Sequence, residues 1–204
     1  MGSLSQFRKA PHAKTYGIEY EFYVQQGELY GRSGPRPFNY GYRGMFYLTT
    51  DISINTGSMG GWPIEAISQP LPFNWLVREV KKFNGFPLQV RWNTSCGIHV
   101  HVSKKLVSGA RMRALLTFLK TLPEHAQQAF FGRRYNGYCS PNSSTNSKYS
   151  IINFLHSNSY EFRMFASGPP DWAVICLQRT KLMVEYRGEY SVSNFYKLFG
   201  LTEG

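Results

Sequence analysis

The sequence has few cysteines, few acidic residues and no long apolar run. Its three cysteines are an odd and sparse set in 204 residues, which argues against a disulfide scaffold and favours a reducing compartment. No apolar segment approaches the roughly 20 residues that span a bilayer, and the first residues lack the hydrophobic core of a signal peptide. We therefore expect a cytoplasmic protein with no membrane partner.

The shortage of acidic residues leaves a strongly basic chain. Twelve Asp and Glu stand against 23 Lys and Arg, a formal net charge of +11. Such a balance favours acidic partners such as nucleic acid, nucleotides or anionic polymers, without choosing among them. Hydrophobic residues make up 42% of the chain, enough to bury a core, and the length fits one domain. No Lys-Ser/Thr pair follows the glycine-rich segment 57–61, which excludes a P-loop.

Apolar periodicity and turn residues predict an alternation of strands and helices. The polar, basic residues 1–15 are interpreted as a mobile arm before a single domain over residues 16–204. Residues 25–44 and 132–148 are predicted as long loops, the first with the option of an irregular hairpin. The predicted helices are 73–84, 109–131 with a break at Pro123, 170–187 and 191–200, and the predicted strands are 16–24, 45–54, 62–68, 97–103, 149–155 and 159–166.

Three of these strands carry ionisable side chains on one face and apolar side chains on the other. Side chains two positions apart on a strand share a face. For any one strand, the simpler interpretation is a polar side that faces water. The shared faces hold Glu19 and Glu21 in the first strand, His99, His101 and Ser103 in the strand 97–103, and Glu161 and Arg163 in the strand 159–166.

Taken together, the three strands favour a divalent cation site over solvent-facing strands. Carboxylate oxygens suit Mg²⁺ or Mn²⁺, and imidazole accepts Mn²⁺ or Zn²⁺. If the faces converge, bound ions would relieve the repulsion between the carboxylates. Five of the 12 acidic residues lie in or beside predicted strands of this kind: Glu19, Glu21, Asp51, Glu65 and Glu161.

These residues, in this order, resemble the amidoligase family of carboxylate–amine ligases, which has the catalytic fold of glutamine synthetase and glutamate–cysteine ligase. The similarity spans roughly residues 16–168, and the ordered set is more specific than any single piece. Members are frequent in bacteriophage and fungal genomes, so a phage-encoded protein would work in the host cytoplasm. The pieces are Glu-x-Glu at 19–21, Glu-x-x-Ser at 65–68, Gly-x-His-x-His at 97–101, Asn153, and Glu-x-Arg at 161–163.

The resemblance implies two or three Mg²⁺ ions, with Mn²⁺ as a substitute. Glu19 and Glu21 would hold different ions, and Glu65 would share the ion of Glu21. His99 and Glu161 would ligate the ion of Glu19, the one nearest the transferred phosphoryl group.

The resemblance also implies ATP as co-substrate. His101 and Ser103 would face the nucleotide, and Arg163 would neutralise phosphate oxygens. The further candidates for contacts with the nucleotide, phosphate or carboxylate are Arg133, Arg134, Lys148 and Asn153.

The implied fold is α+β, with a curved, mostly antiparallel sheet, helices on its convex face and the site on its concave face. Residues 16–204 would form a single amidoligase-like catalytic domain. The implied reaction joins a carboxylate to an amine through an acyl phosphate, and the basic surface leaves room for an acidic substrate. The sequence identifies neither the carboxylate nor the amine, and it leaves the oligomeric state open.

The chain departs from the family at Asp51-Ile52-Ser53, where the family usually has Asp-Gly-Ser. Ile52 removes the close backbone approach that glycine permits. A substrate-positioning role is therefore not carried over to Asp51.

A binding protein without catalysis is the alternative function. A basic virion-associated or nucleic-acid-binding protein could have kept the fold and lost the chemistry. The arginines and aromatic residues of segment 25–44 could then stack on single-stranded nucleic acid. The intact set of acids and histidines favours the ligase.

A zinc hydrolase is the third hypothesis, with Cys96, Cys139, His99 and His101 as ligands. The Cys-x-x-His-x-His spacing on a strand differs from common zinc knuckles, and a free cysteine is usually a small core residue. The other histidines are isolated in the sequence and predict no site: His12, His125 and His156.

Overall fold

The computed structural model describes residues 14–25, 30–31, 34–35, 41–43, 45–56, 61–83, 90–145 and 147–202. The predicted basic arm lies outside the described residues except for Lys14 and Thr15. The glycine-rich segment also lies outside them except for Gly61, and the predicted loop 25–44 is described only in part.

One antiparallel sheet forms the middle of the described structure. Strand β1 lies between β6 and β8, with β5 and then β4 beyond β6, and β10 and then β9 beyond β8. The short β7 pairs with the far end of β1, and β2 pairs only with β3. In chain order the strands are β1 (Tyr16–Gln25), β2 (Tyr30–Gly31), β3 (Gly34–Pro35), β4 (Gly41–Arg43), β5 (Phe46–Thr49), β6 (Gly61–Ser68), β7 (Val90–Arg91), β8 (Gly97–Ser103), β9 (Ile152–Asn153) and β10 (Ser159–Ala166).

Five helices accompany the sheet in the described part of the chain, each within a few residues of its predicted position. Pro123 separates α2 from α3 as predicted, because a proline lacks the amide that an uninterrupted helix requires. Gly132 ends α3 at φ 74°, a left-handed conformation that glycine adopts at low cost. The helices are α1 (Phe73–Lys82), α2 (Gly109–Lys120), α3 (Glu124–Phe131), α4 (Pro170–Glu185) and α5 (Val192–Phe199).

The apolar face of the sheet packs into a single large core with the helices. Strand β1 contributes Ile18, Tyr20 and Phe22, all nearly or completely buried. The ring of Phe83, just after α1, lies 5.9 Å from that of Tyr20 and 6.0 Å from that of Phe22. Because side chains alternate along a strand, this packing turns Glu19 and Glu21 to the opposite face.

Strand β10 contains an irregularity that the sequence pattern does not reveal. Its register with β8 shifts between Phe162 and Phe165, as expected of a β-bulge. Beyond the shift, Phe165 is fully buried, with its ring 5.5 Å from that of Phe131. The bulge thus turns Phe165 into the core, although it lies two residues from Arg163.

Two predicted strands are too long. The strand predicted over 45–54 ends at Thr49, because the Asp51 carboxylate accepts a 2.8 Å hydrogen bond from the Ser53 amide and forms a local turn. Ile52 in this turn is 93% exposed. Of the strand predicted over 149–155, only Ile152–Asn153 forms a strand, and Ser150 makes an isolated bridge with Ser140. The architecture is otherwise α+β with a mostly antiparallel open sheet, and none of the described helices is both long and apolar enough to cross a membrane.

The helix layer should depend strongly on Phe130. Its fully buried ring contacts those of Tyr196 at 4.8 Å and Phe199 at 5.2 Å, which ties α3 to α5. We expect Phe130→Ala to lower the free energy of unfolding by about 3–5 kcal/mol, because it leaves a cavity. Chemical denaturation would measure this. Ile52→Ala, at an exposed position, is the control and should change it by less than about 0.5 kcal/mol.

Candidate metal centre

The polar face of the sheet brings the predicted ionisable side chains together. Glu19 pairs in register with His99, and Glu21 pairs with Glu65 across β1 and β6. Directly opposed residues on antiparallel strands have Cβ atoms about 4.5–5.5 Å apart. One strand further on, Glu161 pairs with His101. The register therefore brings four separate sequence motifs into one cluster.

His99 is the centre of this cluster. Its Nδ1 lies 3.4 Å from a carboxylate oxygen of Glu19 and 3.4 Å from one of Glu161. Its Nε2 lies 3.6 Å from Glu21 Oε1. The side chains of His99, Glu21 and Glu161 are buried, and that of Glu19 is partly exposed. The three carboxylates therefore converge on one imidazole that is itself away from bulk water.

His101 lies beside Glu19 at the more open side of the cluster. Its Nδ1 is 3.3 Å from the Ser159 hydroxyl oxygen, and its Nε2 is 3.0 Å from Glu19 Oε1. Despite this short distance, the buried Nε2 has no well-formed hydrogen bond. A buried ring nitrogen next to a carboxylate is a ligand atom that suits a cation.

Glu161 has a different partner for each oxygen. Arg163 forms an ion pair with Oε1, the oxygen that also approaches His99. Asn153 Nδ2 donates to Oε2 at 2.7 Å, and His156 Nε2 lies 2.8 Å from the same oxygen. These contacts fix the carboxylate plane, as the surroundings of metal-ligating carboxylates do.

Glu21 and Glu65 form the carboxylate-rich side of the cluster. The Gly97 amide donates a 2.6 Å hydrogen bond to Glu21 Oε2. A Cβ at position 97 would lie 3.2 Å from both His99 Nε2 and a guanidinium nitrogen of Arg133. Because glycine has no Cβ, the side chains of Glu21, His99 and Arg133 can all lie close to the backbone at this position.

Histidine charges and hydrogen bonds keep the carboxylates of Glu19 and Glu161 ionised. Burial alone would raise the pKa of Glu19, but the neighbouring imidazoles of His101 and His99 hold it well below its ordinary value. Burial opposes ionisation of Glu161 in the same way, and the hydrogen bond with His156 and the charges of both other histidines lower its pKa to about 2.

The other two carboxylates are perturbed in the opposite direction. Burial, together with the charges of Glu19, Glu21 and Asp51, raises the pKa of Glu65 to about 9. Burial also raises the pKa of Glu21 above its ordinary value, against the charge of His99. Such a pair of largely buried carboxylates holds a proton unless a cation replaces it.

Three groups in the described part of the chain could hold a metal ion. In each group, one ligand atom from every member lies within 4.8 Å of the others. All three consist of histidines and glutamates, so Cys96 and Cys139 of the zinc hypothesis belong to none of them. The groups are Glu19 with His99 and Glu161, Glu21 with Glu65 and His99, and His101 with His156 and Glu161.

His156 is the site residue that sequence reasoning missed. It lies in the short connection between β9 and β10, where strand alternation predicts no face. The pairing of Asn153 with Glu161 in register turns this connection back over the polar face. The proximity of His156 to both Asn153 and Glu161 in the sequence was the only available indication.

Arg133 supports the backbone of the site. Its guanidinium donates to the carbonyl oxygens of Cys96 at 3.2 Å, Arg163 at 2.6 Å and Met164 at 3.3 Å. The last two carbonyls belong to the bulge of β10, so Arg133 ties that irregular segment to the start of β8. The guanidinium N–H groups that a contact of Arg133 with phosphate would need are therefore already used in these hydrogen bonds.

Three other residues predicted to contact the nucleotide, phosphate or carboxylate differ in their surroundings. Arg134 is exposed and pairs with the exposed Glu124 at 2.9 Å. Lys148 is exposed, with its amine 4.9 Å from the centre of the Tyr149 ring. Ser103, in contrast, lines a cavity next to the cluster.

That cavity has a volume of about 540 Å³ and opens beside the histidines of the cluster. Glu19, His101 and His156 line it on the cluster side, and Lys104 and Lys105 line it as well. A concave space of this size with converging polar groups is typical of a small-molecule site.

No protein-family model matches the chain, and no curated protein matches it either. The resemblance to amidoligases therefore depends on the site residues themselves.

Raising the pH should destabilise the metal-free protein through Glu65. A carboxyl group whose pKa is raised by folding stabilises the folded state at low pH and loses that contribution as the pH approaches its folded pKa, here about 9. Between about pH 6 and pH 9, we expect the free energy of unfolding of the wild type to fall relative to that of Glu65→Gln. Chemical denaturation with a chelator present would measure this difference.

Saturating Mn²⁺ should reduce this pH dependence, because the ion binds the deprotonated carboxylate. A difference between wild type and variant that stays constant with pH would show that Glu65 is ionised in the folded, metal-free protein.

Arg133 and Arg134 should differ sharply in their contribution to stability. Arg133→Lys should lower the free energy of unfolding by about 1–3 kcal/mol, because lysine cannot reach three carbonyl groups at once. Arg134→Lys, at the exposed neighbouring position, should change it by less than about 0.5 kcal/mol. An unchanged stability of Arg133→Lys combined with weaker MgATP binding would instead favour the phosphate role.

Proposed function

We propose that this chain is an ATP-dependent carboxylate–amine ligase with a divalent cation cluster at its site. The single observation that carries the proposal is the convergence of Glu19, Glu21 and Glu161 within 3.6 Å of His99. These residues come from three of the motifs that resemble amidoligases. Their meeting on one sheet face is what that resemblance requires, and it supports a glutamine synthetase-like catalytic fold with the helices on the convex face.

The donor set fits Mg²⁺ or Mn²⁺. The directly opposed Glu21 and Glu65 would repel each other when both are ionised. Burial raises the pKa of both groups, and the charge of Glu21 adds to the rise at Glu65. Hard divalent cations prefer such carboxylate oxygens. The buried Nε2 of His101 has no well-formed hydrogen bond, so it is a further nitrogen that could ligate a metal ion at the same cluster.

An amide does not form directly from a carboxylate and an amine at neutral pH, because oxide is a poor leaving group. In the proposed reaction, ATP phosphorylates the substrate carboxylate to an acyl phosphate, and the amine displaces inorganic phosphate to leave the amide. Bound cations would supply Lewis-acid stabilisation of the phosphate charge.

In this reaction, the side chains of the protein would orient the bound groups and neutralise their negative charge. Glu19, Glu21, Glu65, His99 and Glu161 would hold the cations. Arg163, kept in place by its ion pair with Glu161 and a 3.3 Å hydrogen bond to the Tyr138 carbonyl oxygen, would stabilise negative charge on the transferred group.

The cavity beside the cluster is the proposed place for the nucleotide. His101 and Ser103, the residues expected to face it, both line the cavity. Lys104 and Lys105 add positive charge to the same walls, which favours a polyanion such as ATP. The basic surface also favours an acidic second substrate.

MgATP binding tests the proposal without knowledge of the other substrates. At about 100 times its dissociation constant, MgATP should raise the melting temperature of the wild type by about 5–10 °C. Glu19→Gln and Glu161→Gln should lose most of this shift, because they remove charge from the cluster. Glu189→Gln, at an exposed position, is the matched control and should keep it.

Catalysis is tested by ADP release in the presence of pooled carboxylates and amines. We expect Mg²⁺-dependent release that falls at least about a hundredfold in Glu19→Gln and Glu161→Gln. If MgATP stabilises neither the wild type nor the control, or if the two cluster variants match the control in both assays, the ligase proposal is wrong.

A further inference from the structure

One ionisable side chain of the cluster is not a cation ligand in the proposed ligase. His156 is about one-third exposed, and it reaches the cluster from the connection between β9 and β10. Together with His101 and Glu161 it forms the third of the groups that could hold a metal ion. This group differs from the other two because two of its three donors are imidazoles.

The spacing of the donors fits a single ion. His156 Nε2 lies 2.8 Å from Glu161 Oε2, and the ring centres of His101 and His156 are 5.0 Å apart. One ligand atom from each of the three residues lies within 4.8 Å of the others. Ligands about 2.1 Å from a common ion are about 3.0–3.4 Å apart, so small movements of the side chains would complete the site.

Glu161 can serve this group without leaving the rest of the cluster. Its Oε1 points to His99 and Arg163, while its Oε2 points to His156. A carboxylate in this position can bridge two ions, with one oxygen for each.

The donors are held in place by neighbouring groups. The Ser159 hydroxyl lies 3.3 Å from His101 Nδ1, which leaves Nε2 as the ligand atom of that ring. Nε2 is itself buried without a well-formed hydrogen bond. Asn153 donates to Glu161 and accepts a 2.8 Å hydrogen bond from the Leu155 amide. Metal-ligating side chains commonly have such supporting partners.

Two imidazoles and one carboxylate select a different ion from two carboxylates and one imidazole. Mg²⁺ prefers oxygen ligands, whereas imidazole nitrogens favour Zn²⁺, Co²⁺ and other first-row transition ions. The group of Glu21, Glu65 and His99 suits the first kind of ion, and the group that contains His156 suits the second.

We propose that His101, His156 and Glu161 form a separate subsite for a first-row transition-metal ion, at the boundary between the cluster and the cavity. His101 and His156 both line the cavity, so coordination positions of the ion would face it. Three protein ligands with open positions are typical of a reactive metal site rather than a structural one. The inference goes beyond the proposed ligase, which requires only the carboxylate-rich groups.

Co²⁺ titration of the metal-free protein, with excess Mg²⁺ present to occupy the carboxylate-rich groups, tests this subsite. Visible absorption reports the ligand field of Co²⁺, and calorimetry with Zn²⁺ gives the affinity and the number of ions bound. His156→Gln should weaken Co²⁺ and Zn²⁺ binding at least about tenfold and change the absorption spectrum. His125→Gln, at an exposed position on α3, is the matched control and should behave as the wild type.

If His156→Gln binds Co²⁺ with the affinity and spectrum of the control, the subsite does not exist. Circular dichroism and the response to Mg²⁺ alone establish that the variant is folded. Glu65→Gln separates the two proposals, because it should impair MgATP binding and leave the His156-dependent Co²⁺ spectrum intact. Absence of ADP release together with that spectrum would remove the ligase and retain the subsite.

Discussion

The structure depends on the concentration of negative charge around one buried imidazole. Three glutamates approach His99 on a face where water is largely excluded, and Coulomb repulsion between carboxylates is strong in such surroundings. The protein compensates differently on the two sides. Near Glu161, an arginine and neighbouring imidazoles stabilise the ionised form, whereas near Glu65 the carboxyl group holds its proton to a pKa of about 9. The cluster is therefore neutralised by the chain itself on one side, and a cation can displace a proton on the other.

The opposite face of the sheet determines whether this cluster forms at all. Side chains alternate between the faces of a strand, so a shift of one residue in the register of β1 would turn Glu19 into the core and Ile18 toward the site. Phe22 and its neighbours prevent that shift, because they are fully buried against Phe83 and the helices. Apolar packing thus specifies the position of the charged groups, and the energetic cost of gathering them is offset by burial of the other face.

The site residues that could be predicted lie on strands, where side chains alternate between the two faces with a period of two residues. Alternation in β1, β8 and β10 correctly places Glu19, His99 and Glu161 on polar faces, because it follows from strand geometry alone. The register that brings these strands together is long-range and does not follow from local pattern. His156 lies in a connection without periodicity, and the role of Arg133 depends on a bulge whose freed carbonyl groups exist only in the folded sheet. The predicted lengths of the strands at 45–54 and 149–155 are wrong for a related reason. Hydrogen bonds from backbone amides to the side chains of Asp51 and Asn153 compete there with strand pairing.

The position of the acidic residues also changes the meaning of the net charge. Five of the 12 acids, Asp51 and the four glutamates of the cluster, lie in or beside the site, so the remaining surface is more cationic than a net charge of +11 suggests. The charge of the protein is therefore separated into two regions, with negative charge in the cluster and positive charge on the surface around it. Lys104 and Lys105 line the cavity next to the cluster, where both regions would act on a molecule bound there. A polyanion would be attracted by the basic walls and repelled by the carboxylates until cations neutralise them. The repulsion by the carboxylates depends on bound metal, whereas the attraction by the basic walls does not. Charge alone would therefore favour a complex of polyanion and divalent cation over the free polyanion.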